Sequence, residues 1–381
     1  MMAKGFCSLV VALGLAVAGC ASTPTATGPK PTPSPPKSAA PPSTPAVEEV
    51  TSLRMTSLSI MWASTSRRIL RSADGGRQWT NVTPSSAPSA SLPVFFALDD
   101  VDAWAVYSPF PEQVANGGPY DVFRTSDGGV TWAHGAGALA RGAITGLDFV
   151  DRMHGWATVG MGAAAGSEAI GVLRSVDGGA IWSLIAQTSD PLTGRPDPSG
   201  LNFSCDKGWV TFGSASVGLI ANICAGGAPT IYRSGDGGAT WSLISLPTLG
   251  AAEIGFGNPT FLTGQDAVLP GTTYGDSAIP VVAVTHDGGL TWHAFKLPTS
   301  GSVDFESTTS AWLLGNPIEA TSDGGATWRA VSAPTPPFKA VDMQLQDLGR
   351  GIAMAWTYGA AYRTDDGAKT WRNVTPPLFA S

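Results

Sequence analysis

The sequence is poor in charge and in the side chains that most enzymes use for chemistry. Only 13% of its 381 residues are charged, and it has four histidines, at His134, His154, His286 and His293. The histidines lack metal-ligand spacing, and neither a Gly-x-Ser-x-Gly nucleophile motif nor a phosphate-binding loop occurs. The sequence therefore predicts no metal site and no cofactor.

Positive charge is scarcer than negative charge. No aspartate or glutamate precedes Glu48, whereas Lys4, Lys30 and Lys37 do, so the rest of the chain carries 19 basic and 29 acidic residues and a formal charge of −10. Nucleic acids and anionic phospholipids bind to clustered positive charge. The composition therefore argues against either as the main partner.

Long helical patterns are also missing. No apolar repeat of helical period exceeds about two turns beyond the N-terminal segment, while 47 glycines and 30 prolines supply turns throughout. Weakly charged, turn-rich sequence with many β-branched and aromatic residues is typical of short strands. We therefore expect an all-β fold.

The N-terminus has the pattern of a lipoprotein signal. Lys4 precedes a short apolar run that ends in Val17-Ala18-Gly19-Cys20, and this ending resembles the bacterial lipobox, whose cysteine is acylated. We expect residues 1–19 to be removed and Cys20 to anchor an extracytoplasmic protein to the bacterial membrane. The alternative is an ordinary signal peptide with an incidental cysteine.

Residues 20–47 indicate a spacer. They consist almost entirely of proline, threonine, serine, alanine and glycine, which cannot bury a core and favour an extended, semi-stiff chain. The folded domain then occupies residues 48–381, and we expect it to be a monomer that contacts the membrane through the lipid alone.

Two cysteines remain in the folded region, Cys205 and Cys224. An exported compartment permits disulfides, and we expect these two to pair. The alternative is two free thiols. They are not expected to bind a metal, because no histidine or further cysteine lies nearby in sequence.

One motif, Ser/Thr-x-Asp-x-Gly-x-x-Trp, recurs seven times along the chain. The carboxylate can accept hydrogen bonds from the amides of a tight turn, and the glycine supplies the positive φ that the turn needs. Only the seventh copy lacks that glycine and has Ala368 instead. We expect the aspartates to be structural: Asp74, Asp127, Asp177, Asp236, Asp287, Asp323 and Asp366.

The spacing of the motifs predicts four strands, A to D, in each repeat. The shortest interval, between Asp287 and Asp323, accommodates strands at 292–297, 302–306, 311–314 and 318–321, with the motif as the C–D turn. Six tryptophans lie upstream of motifs, and we assign them to strand B: Trp62, Trp104, Trp156, Trp209, Trp312 and Trp356. Seven such antiparallel units arranged radially make a seven-bladed β-propeller, with no strand exchanged between the termini.

The motifs resemble the BNR/Asp-box repeats of sialidases, sortilin-type receptors and xyloglucan-cleaving glycosidases. A Gly/Ala-Trp strand (Gly155-Trp156, Gly208-Trp209, Ala311-Trp312) followed by Arg-Ser/Thr-x-Asp-Gly-Gly is most similar to photosystem II assembly and stability factors. The resemblance covers about residues 48–381. It implies a seven-bladed, non-enzymatic binding propeller.

An arginine precedes the Asp box in five blades: Arg71, Arg124, Arg174, Arg233 and Arg363. The resemblance to photosystem II assembly factors would make these part of an arginine-rich binding surface. Arginine at a strand end also packs its stem and donates to a neighbouring carbonyl. We favour this structural interpretation.

A partner is expected on the face opposite the Asp boxes, where the B–C and D–A connections lie. The interval from the strand-B tryptophan (Val268 in blade 5) to the box aspartate is 19 to 27 residues in blades 2–5 and 10 to 12 elsewhere. This predicts contiguous long loops, which often build binding sites, or insertions that are merely tolerated. The candidate rim comprises Tyr107, Phe110, Tyr120, Arg195, Tyr274 and Asp276.

Two functional hypotheses follow. The first is a non-enzymatic envelope lipoprotein whose propeller binds a protein or glycan partner and assists assembly of a membrane complex. The alternative is a sialidase-like or other glycoside hydrolase. The Arg-Ile-Pro motif of sialidases is absent, and the xyloglucan enzymes set their two carboxylates across a cleft between two propellers. We therefore expect the chain not to be an enzyme.

Overall fold

The computed structural model describes residues 50–377, apart from gaps at 89–92, 109–119, 137–141, 165, 190–195, 225, 251–252, 275–277, 332, 335, 339, 341 and 358. Thirty β-strands lie in this part of the chain, and none of its residues is helical. The strands form seven antiparallel sheets. The predicted all-β, seven-bladed propeller is therefore confirmed. The expected signal, Cys20 and the spacer lie outside the described residues, and no described segment is a helix able to cross a bilayer.

Blades 1 to 3 are four-stranded meanders. Blade 1 contains β1 (Val50–Met55), β2 (Met61–Thr65), β3 (Ile69–Ser72) and β4 (Thr80–Asn81). Blade 2 contains β5 (Pro93–Ala97), β6 (Ala103–Tyr107), β7 (Asp121–Thr125) and β8 (Ala133–Ala136). Blade 3 contains β9 (Ala143–Phe149), β10 (Gly155–Ala164), β11 (Ser167–Ser175) and β12 (Ser183–Gln187).

Blades 4 and 5 differ because strand A of each is divided into two pieces that pair with the same strand B. Blade 4 contains β13 (Asp206–Lys207), β14 (Thr211–Phe212), β15 (Gly218–Ile223), β16 (Thr230–Ser234) and β17 (Ser242–Ser245). Blade 5 contains β18 (Glu253–Phe256), β19 (Thr260–Phe261), β20 (Ala267–Tyr274), β21 (Pro280–Thr285) and β22 (His293–Lys296).

Blades 6 and 7 return to four strands and the tightest turns. Blade 6 contains β23 (Ser302–Phe305), β24 (Ala311–Leu314), β25 (Glu319–Thr321) and β26 (Arg329–Ala330). Blade 7 contains β27 (Asp342–Asp347), β28 (Ile352–Trp356), β29 (Ala361–Thr364) and β30 (Arg372–Asn373). The strands predicted between Asp287 and Asp323 agree with β22 to β25 to within one residue at each end.

The hydrophobic core is distributed between the blades. Each of seven apolar clusters combines side chains from two adjacent blades, and one such cluster fills each interface between blades. Two of these interfaces contain stacked rings, Trp104 on Phe149 with centroids 3.8 Å apart and Trp156 on Phe212 at 3.7 Å. A blade therefore obtains its stability from its neighbours.

The ring closes by packing between blades 7 and 1, as expected, because each described sheet is built from consecutive strands. Gln344 in β27 accepts a hydrogen bond from the Met55 amide and donates one to the Met55 carbonyl, both at 2.8 Å. Trp79 Nε1 donates to the Val374 carbonyl at 3.2 Å. These contacts join the two ends of the described chain without a shared strand.

The Asp boxes form the C–D turns on one face. In all seven, Oδ1 accepts from the hydroxyl two residues before it at 2.8–2.9 Å and from the amide four residues after it at 2.9–3.0 Å. The Thr131 hydroxyl, which donates to the carboxylate, lowers the pKa of Asp127 to about 2, and Thr327 does the same for Asp323. These carboxylates are occupied by their own turns.

The arginines before the boxes connect adjacent blades. Arg71 donates to the Asp100 carbonyl at 2.9 Å, Arg233 to the Gly288 carbonyl at 2.8 Å and Arg363 to the Leu58 carbonyl at 2.7 Å, each in the following blade. Arg124 and Arg174 lie over the tryptophans of their own blades, 5.4 and 5.8 Å from the ring centroids. These contacts agree with the structural interpretation.

The assignment of Trp209 to strand B is wrong, and Trp356 lies in strand B but at a different position from the other tryptophans. Trp62, Trp104, Trp156 and Trp312 share one position, opposite the residue that precedes the box. In blades 4 and 7 that position is held by Leu219 and Met354. Trp209 instead lies between β13 and β14, within the divided strand A, and Trp356 ends β28. The Gly-Trp pair at 208–209 imitated the start of a strand B.

The prediction of four contiguous long B–C loops is consequently wrong. Between the described strands B and C, only blade 2 has a long interval, at residues 108–120, whereas the interval is two residues in blade 3, six in blade 4 and five in blade 5. In blades 3 and 5 the additional residues lengthen strands β10, β11 and β20. In blade 4 the long interval resulted from the misplaced Trp209.

Candidate functional site

The face opposite the Asp boxes holds the B–C and D–A connections. Of the six predicted rim residues, Phe110, Arg195 and Asp276 lie outside the described residues. Tyr107 and Tyr120 are 2% and 1% exposed, because both pack into interblade clusters, and therefore they cannot contact a partner. Tyr274, at the end of β20, is 55% exposed.

A small pocket of about 40 Å³ lies on this face between blades 7 and 1. It is lined by Val50, Thr51, Ser52, Leu53, Trp356, Thr357, Gly359, Ala360 and Ala361. No described residue of this lining carries an ionisable side chain. The pocket offers surface for binding but no acid or base for chemistry.

Three carboxyl groups among the described residues have a raised pKa, and two of them are structural. Burial raises the pKa of Asp102, which is bound by Arg152 at 2.7 Å on the Asp-box face. Burial also raises the pKa of Asp304 to about 7, and this side chain accepts a hydrogen bond from the Leu345 amide of the next blade. Both side chains are closed to a ligand, with 0% and 4% exposure. The third carboxyl is Glu168.

Glu168 begins strand C of blade 3 and lies at the boundary with blade 4. Its Oε2 accepts a hydrogen bond from the Lys207 amide at 2.9 Å, and its own amide donates to the Cys205 carbonyl at 3.1 Å. Burial of the carboxyl and the nearby negative charge of Asp206 raise the pKa of Glu168, against the opposing hydrogen bond and charge of Lys207. The half-buried carboxyl of Glu168 and the exposed carboxyl of Asp206 therefore lie on adjacent blades and interact electrostatically.

Lys207 lies next to Glu168 and Asp206, and its own side chain is fixed by several contacts. It is 8% exposed, and its ammonium donates to the carbonyls of Ser204 and Cys205 and lies 5.9 Å from the ring centroid of Tyr232. Burial lowers the pKa of Lys207 to about 8, although Glu168 and Asp206 partly oppose the shift. The lysine is therefore held as a neighbour of both carboxyls.

A disulfide braces the same corner. Cys205 and Cys224 are bonded, with their Cα atoms 4.6 Å apart, which joins the start of strand A to the end of strand B in blade 4. Ser167 also forms an isolated β-bridge with Cys205 across the blade boundary. Asp206 is therefore fixed relative to Glu168 by covalent and backbone contacts.

Other polar groups lie on the neighbouring strands of blades 4 and 5. Glu253, which starts blade 5 opposite Tyr274 in the sheet, accepts a hydrogen bond from the Gly226 amide at 2.9 Å. Asn222, paired with Lys207 across the sheet, has a buried carboxamide oxygen that accepts nothing within the described part of the chain. Within the same residues, no group of three or more histidine, cysteine or acidic side chains is arranged to hold a metal ion.

Sequence reasoning missed Glu168, Asp206 and Lys207 as a set. Glu168 lies 38 residues from Asp206 and belongs to another blade. The available signal was the acidic and basic pair that directly follows Cys205. A disulfide in a large propeller marks a place where the backbone is held firmly, and side chains that flank it are therefore held in fixed positions.

Comparison with known proteins gives partial matches. No family model matches the chain. A stretch of 194 residues is 31% identical to a xyloglucanase of Hypocrea jecorina (strain QM6a). The aligned stretch covers 44% of this chain and 22% of the relative. The chain therefore spans about a fifth of the length of that curated relative.

Two solved structures share the propeller fold. The GH74 xyloglucanase from Xanthomonas campestris has a TM-score of 0.55 at 14% identity, over 87% of this chain and 55% of that chain. YCF48 bound to a D1 peptide has a TM-score of 0.52 at 15% identity, over 84% and 94%. At these identities the likeness concerns the fold alone.

The expectation that the chain is not an enzyme is contradicted by these matches. The curated relative that is 31% identical is a xyloglucanase, and a GH74 xyloglucanase shares the fold. The expectation assumed that two carboxylates require a cleft between two propellers. Glu168 and Asp206 lie on adjacent blades of one propeller, and the charge of Asp206 raises the pKa of Glu168.

Proposed function

We propose that this propeller is a glycoside hydrolase that acts on a β-glucan of the xyloglucan type, with Glu168 and Asp206 as its two carboxyl groups. The observation that carries the proposal is the carboxyl pair itself. Glu168 is the one carboxyl among the described residues that combines a raised pKa with an accessible position. The partial match to a xyloglucanase supports the choice of substrate.

The chemistry divides between the two groups. A carboxyl with a raised pKa keeps its proton to a higher pH than an ordinary glutamate and can donate it to the glycosidic oxygen as the bond to the anomeric carbon breaks. Asp206 supplies the second carboxylate, which either removes a proton from the attacking water or bonds to the anomeric carbon itself. Lys207 and the disulfide hold both groups in place.

The open face suits a polymer. The two carboxyl groups lie at strand ends on the face of the B–C and D–A connections, and Tyr274 on blade 5 offers an exposed aromatic face to a sugar ring. A chain of sugars can extend from Tyr274 across the pair without entering a closed cavity. A substrate of this length draws binding energy from sites away from the reacting bond.

The enzyme acts outside the cytoplasm. The lipobox and the Pro-rich spacer support attachment through a lipid on Cys20, and a disulfide fits an oxidising compartment. Radioactive palmitate should label the wild-type protein in its bacterial host but not a Cys20→Ser variant. Equal labelling of both proteins would contradict the anchor.

Hydrolysis of a substrate panel tests the proposed activity. Release of reducing ends is measured with the full-length protein on xyloglucan, mixed-linkage β-glucan, cellulose and sialyllactose. We expect turnover of xyloglucan, and a loss of about 100-fold or more in Glu168→Gln, since general acid catalysis typically contributes 10²–10⁴-fold. Asp206→Asn should lose a similar factor.

A matched control is Glu319→Gln, which changes a glutamate at the same end of strand C in blade 6. It should retain full activity. No turnover of any glycan by the wild-type protein, or equal activity in Glu168→Gln, would contradict the proposal.

Peptide binding is the second candidate function. It is favoured by the shared fold with YCF48 bound to a D1 peptide and by the exposed Tyr274 beside Glu253, which offer aromatic and acidic contacts. Fluorescence anisotropy of a labelled D1 peptide measures it directly. If the wild-type protein binds the peptide and Tyr274→Ala binds it more weakly, a peptide ligand on this face is supported. If the wild-type protein does not bind the peptide, this second candidate function is contradicted.

A further inference from the structure

Five large apolar side chains are exposed on the Asp-box face of blades 2 and 3. They are Val101 (36%), Val130 (81%), Met153 (46%), Val176 (56%) and Ile181 (68%), and together they are called the apolar patch. This face is built from the boxes and the A–B turns, and it lies opposite the carboxyl pair. Exposed apolar residues that cluster in this way are typical of an interaction surface.

Backbone contacts show that the patch is continuous. The Gly128 amide of box 2 donates to the Val101 carbonyl at 3.0 Å, and the Gly178 amide of box 3 donates to the Met153 carbonyl at 2.9 Å. Arg152 then links the two A–B turns, with Nε 2.7 Å from Asp102 and Nη2 3.7 Å from Asp99. The five side chains therefore belong to one surface across two adjacent blades.

The other blades carry different residues at the same positions. In every blade the first box glycine donates to one A–B turn carbonyl, and these carbonyls belong to Ser59, Val101, Met153, Ser216, Gln265, Thr309 and Gly351. Only Val101 and Met153 in this series are large and apolar. At this turn position the apolar character is therefore specific to blades 2 and 3.

Ile181 gives the strongest indication. Five boxes have threonine four residues after the aspartate, and its hydroxyl donates to Oδ2 at 2.5–2.7 Å: Thr131, Thr240, Thr291, Thr327 and Thr370. Blade 3 has Ile181 there, which forgoes this hydrogen bond and is 68% exposed. The side chain of Ile181 therefore adds no hydrogen bond to its own turn and is not buried in the core, which leaves it free to contact a partner.

The charges around the patch indicate the chemistry of that partner. Asp99 and Asp151 have side chains that are 44% and 51% exposed, and Asp127 is exposed with a pKa of about 2. The cation of Arg152 is already engaged by Asp99 and Asp102. Anionic lipid and a second copy of this acidic chain would both be repelled.

We propose that the apolar patch docks a polypeptide segment that presents apolar side chains flanked by lysine or arginine. Apolar side chains of the segment cover Val130 and Ile181, and its basic groups approach Asp99, Asp127 and Asp151. This site does not depend on the proposed hydrolase activity, because it lies on the other face. Through the apolar patch, the propeller binds a second protein.

Designed peptides test the proposal with the full-length protein. Three fluorescein-labelled 14-residue probes, alternating Leu/Lys, Leu/Glu and Ser/Lys, are titrated and followed by fluorescence anisotropy at 50 and 500 mM NaCl. We expect the Leu/Lys probe to bind at least 10-fold more tightly than the other two. A double variant, Val130→Thr with Ile181→Thr, should weaken that binding at least 10-fold.

The variants contain their own folding control. Ile181→Thr restores the threonine of the other boxes, so the melting temperature of the double variant should not fall. Leu290→Thr changes the residue equivalent to Val130 in blade 5, which is 53% exposed, and it should bind the Leu/Lys probe like the wild type.

Four results would overturn the proposal. Two concern the probes: the double variant binds the Leu/Lys probe as tightly as the wild type, or the Ser/Lys probe binds as tightly as the Leu/Lys probe. The third is a dimer of the wild-type protein in light scattering that is absent in the double variant. The fourth is sedimentation of the wild-type protein, but not of the double variant, with vesicles of anionic phospholipid.

Discussion

The second glycine of the Asp box is the residue at which one side chain would disturb two blades. A Cβ on Gly129 would lie 2.6 Å from Val82 Cβ in the preceding blade, and one on Gly289 would lie 2.6 Å from Leu219 Cδ2. Both glycines also have positive φ, of 84° and 88°. Ala368 occupies this position in blade 7 with a φ of 65° and is fully buried.

This contrast predicts unequal effects of two opposite substitutions. Gly129→Ala combines a strained backbone, about 1–2 kcal/mol, with overpacking, about 1–3 kcal/mol, so the free energy of unfolding should fall by roughly 2–5 kcal/mol. Ala368→Gly relieves the strain but removes a buried methyl, about 0.8 kcal/mol, and should change stability by less than about 1 kcal/mol. Urea denaturation measures both. Equal effects would show that contact with Val82 does not matter.

Single residues also mark the limit of sequence reasoning. The box aspartates could be recognised because seven copies repeat one spacing, and each spacing has a local physical cause. Glu168 has no repeated counterpart, and its raised pKa arises from burial and from Asp206 in the next blade. A property that depends on two blades cannot be predicted from either segment alone.

At the scale of the strand, one position of strand A connects successive blades. Asp148 accepts from the Phe212 amide at 2.6 Å, Asp304 from the Leu345 amide at 2.7 Å and Gln344 from the Met55 amide at 2.8 Å. At this position in blade 1, Arg54 lies 4.9 Å from the ring centroid of Phe96 in blade 2. These side chains hold the inner strands in register around the ring.

Asp304 should make the stability of the protein depend on pH. Its pKa is raised to about 7 by burial, so the folded state holds the proton more tightly than the unfolded chain. The stabilisation is therefore complete below about pH 4 and is lost as the pH rises through about 7. At about 1.4 kcal/mol per pKa unit, the free energy of unfolding should fall by up to roughly 4 kcal/mol.

Asp304→Asn should remove most of this dependence, because an amide oxygen can still accept from Leu345. Gln344 shows that a carboxamide serves at the same position. Urea denaturation at pH 5 and pH 8 gives the comparison. A slope in Asp304→Asn as steep as that of the wild type would contradict the assignment.

Strand positions were predictable where the chain had little room. Between Asp287 and Asp323 four strands and three turns occupy the whole interval, and the observed bounds follow the predicted ones closely. Blade 4 has more residues than four strands need, and strand A breaks around Trp209, whose amide donates to Asn258 of blade 5. A contact with another blade decided the position of that tryptophan.

At the scale of the molecule, the two faces of the propeller have different chemistry. One carries the ionised box aspartates and the apolar patch, and the other carries Glu168, Asp206 and the exposed Tyr274. The fold followed from the seven repeats. The proposed activity did not, because the motif that repeats is the one that builds the turns, and chemistry on such a scaffold depends on side chains that do not repeat.

The pH dependence of xyloglucan hydrolysis tests the central claim most directly. The account predicts that kcat/KM of the wild-type protein falls on the alkaline side as Glu168 loses its proton, at a pKa above the ordinary value for glutamate. Glu168→Gln should lose this alkaline limb together with about 100-fold or more of the rate at the optimum. A wild-type protein without turnover at any pH, or an alkaline limb that persists unchanged in Glu168→Gln, would contradict the account.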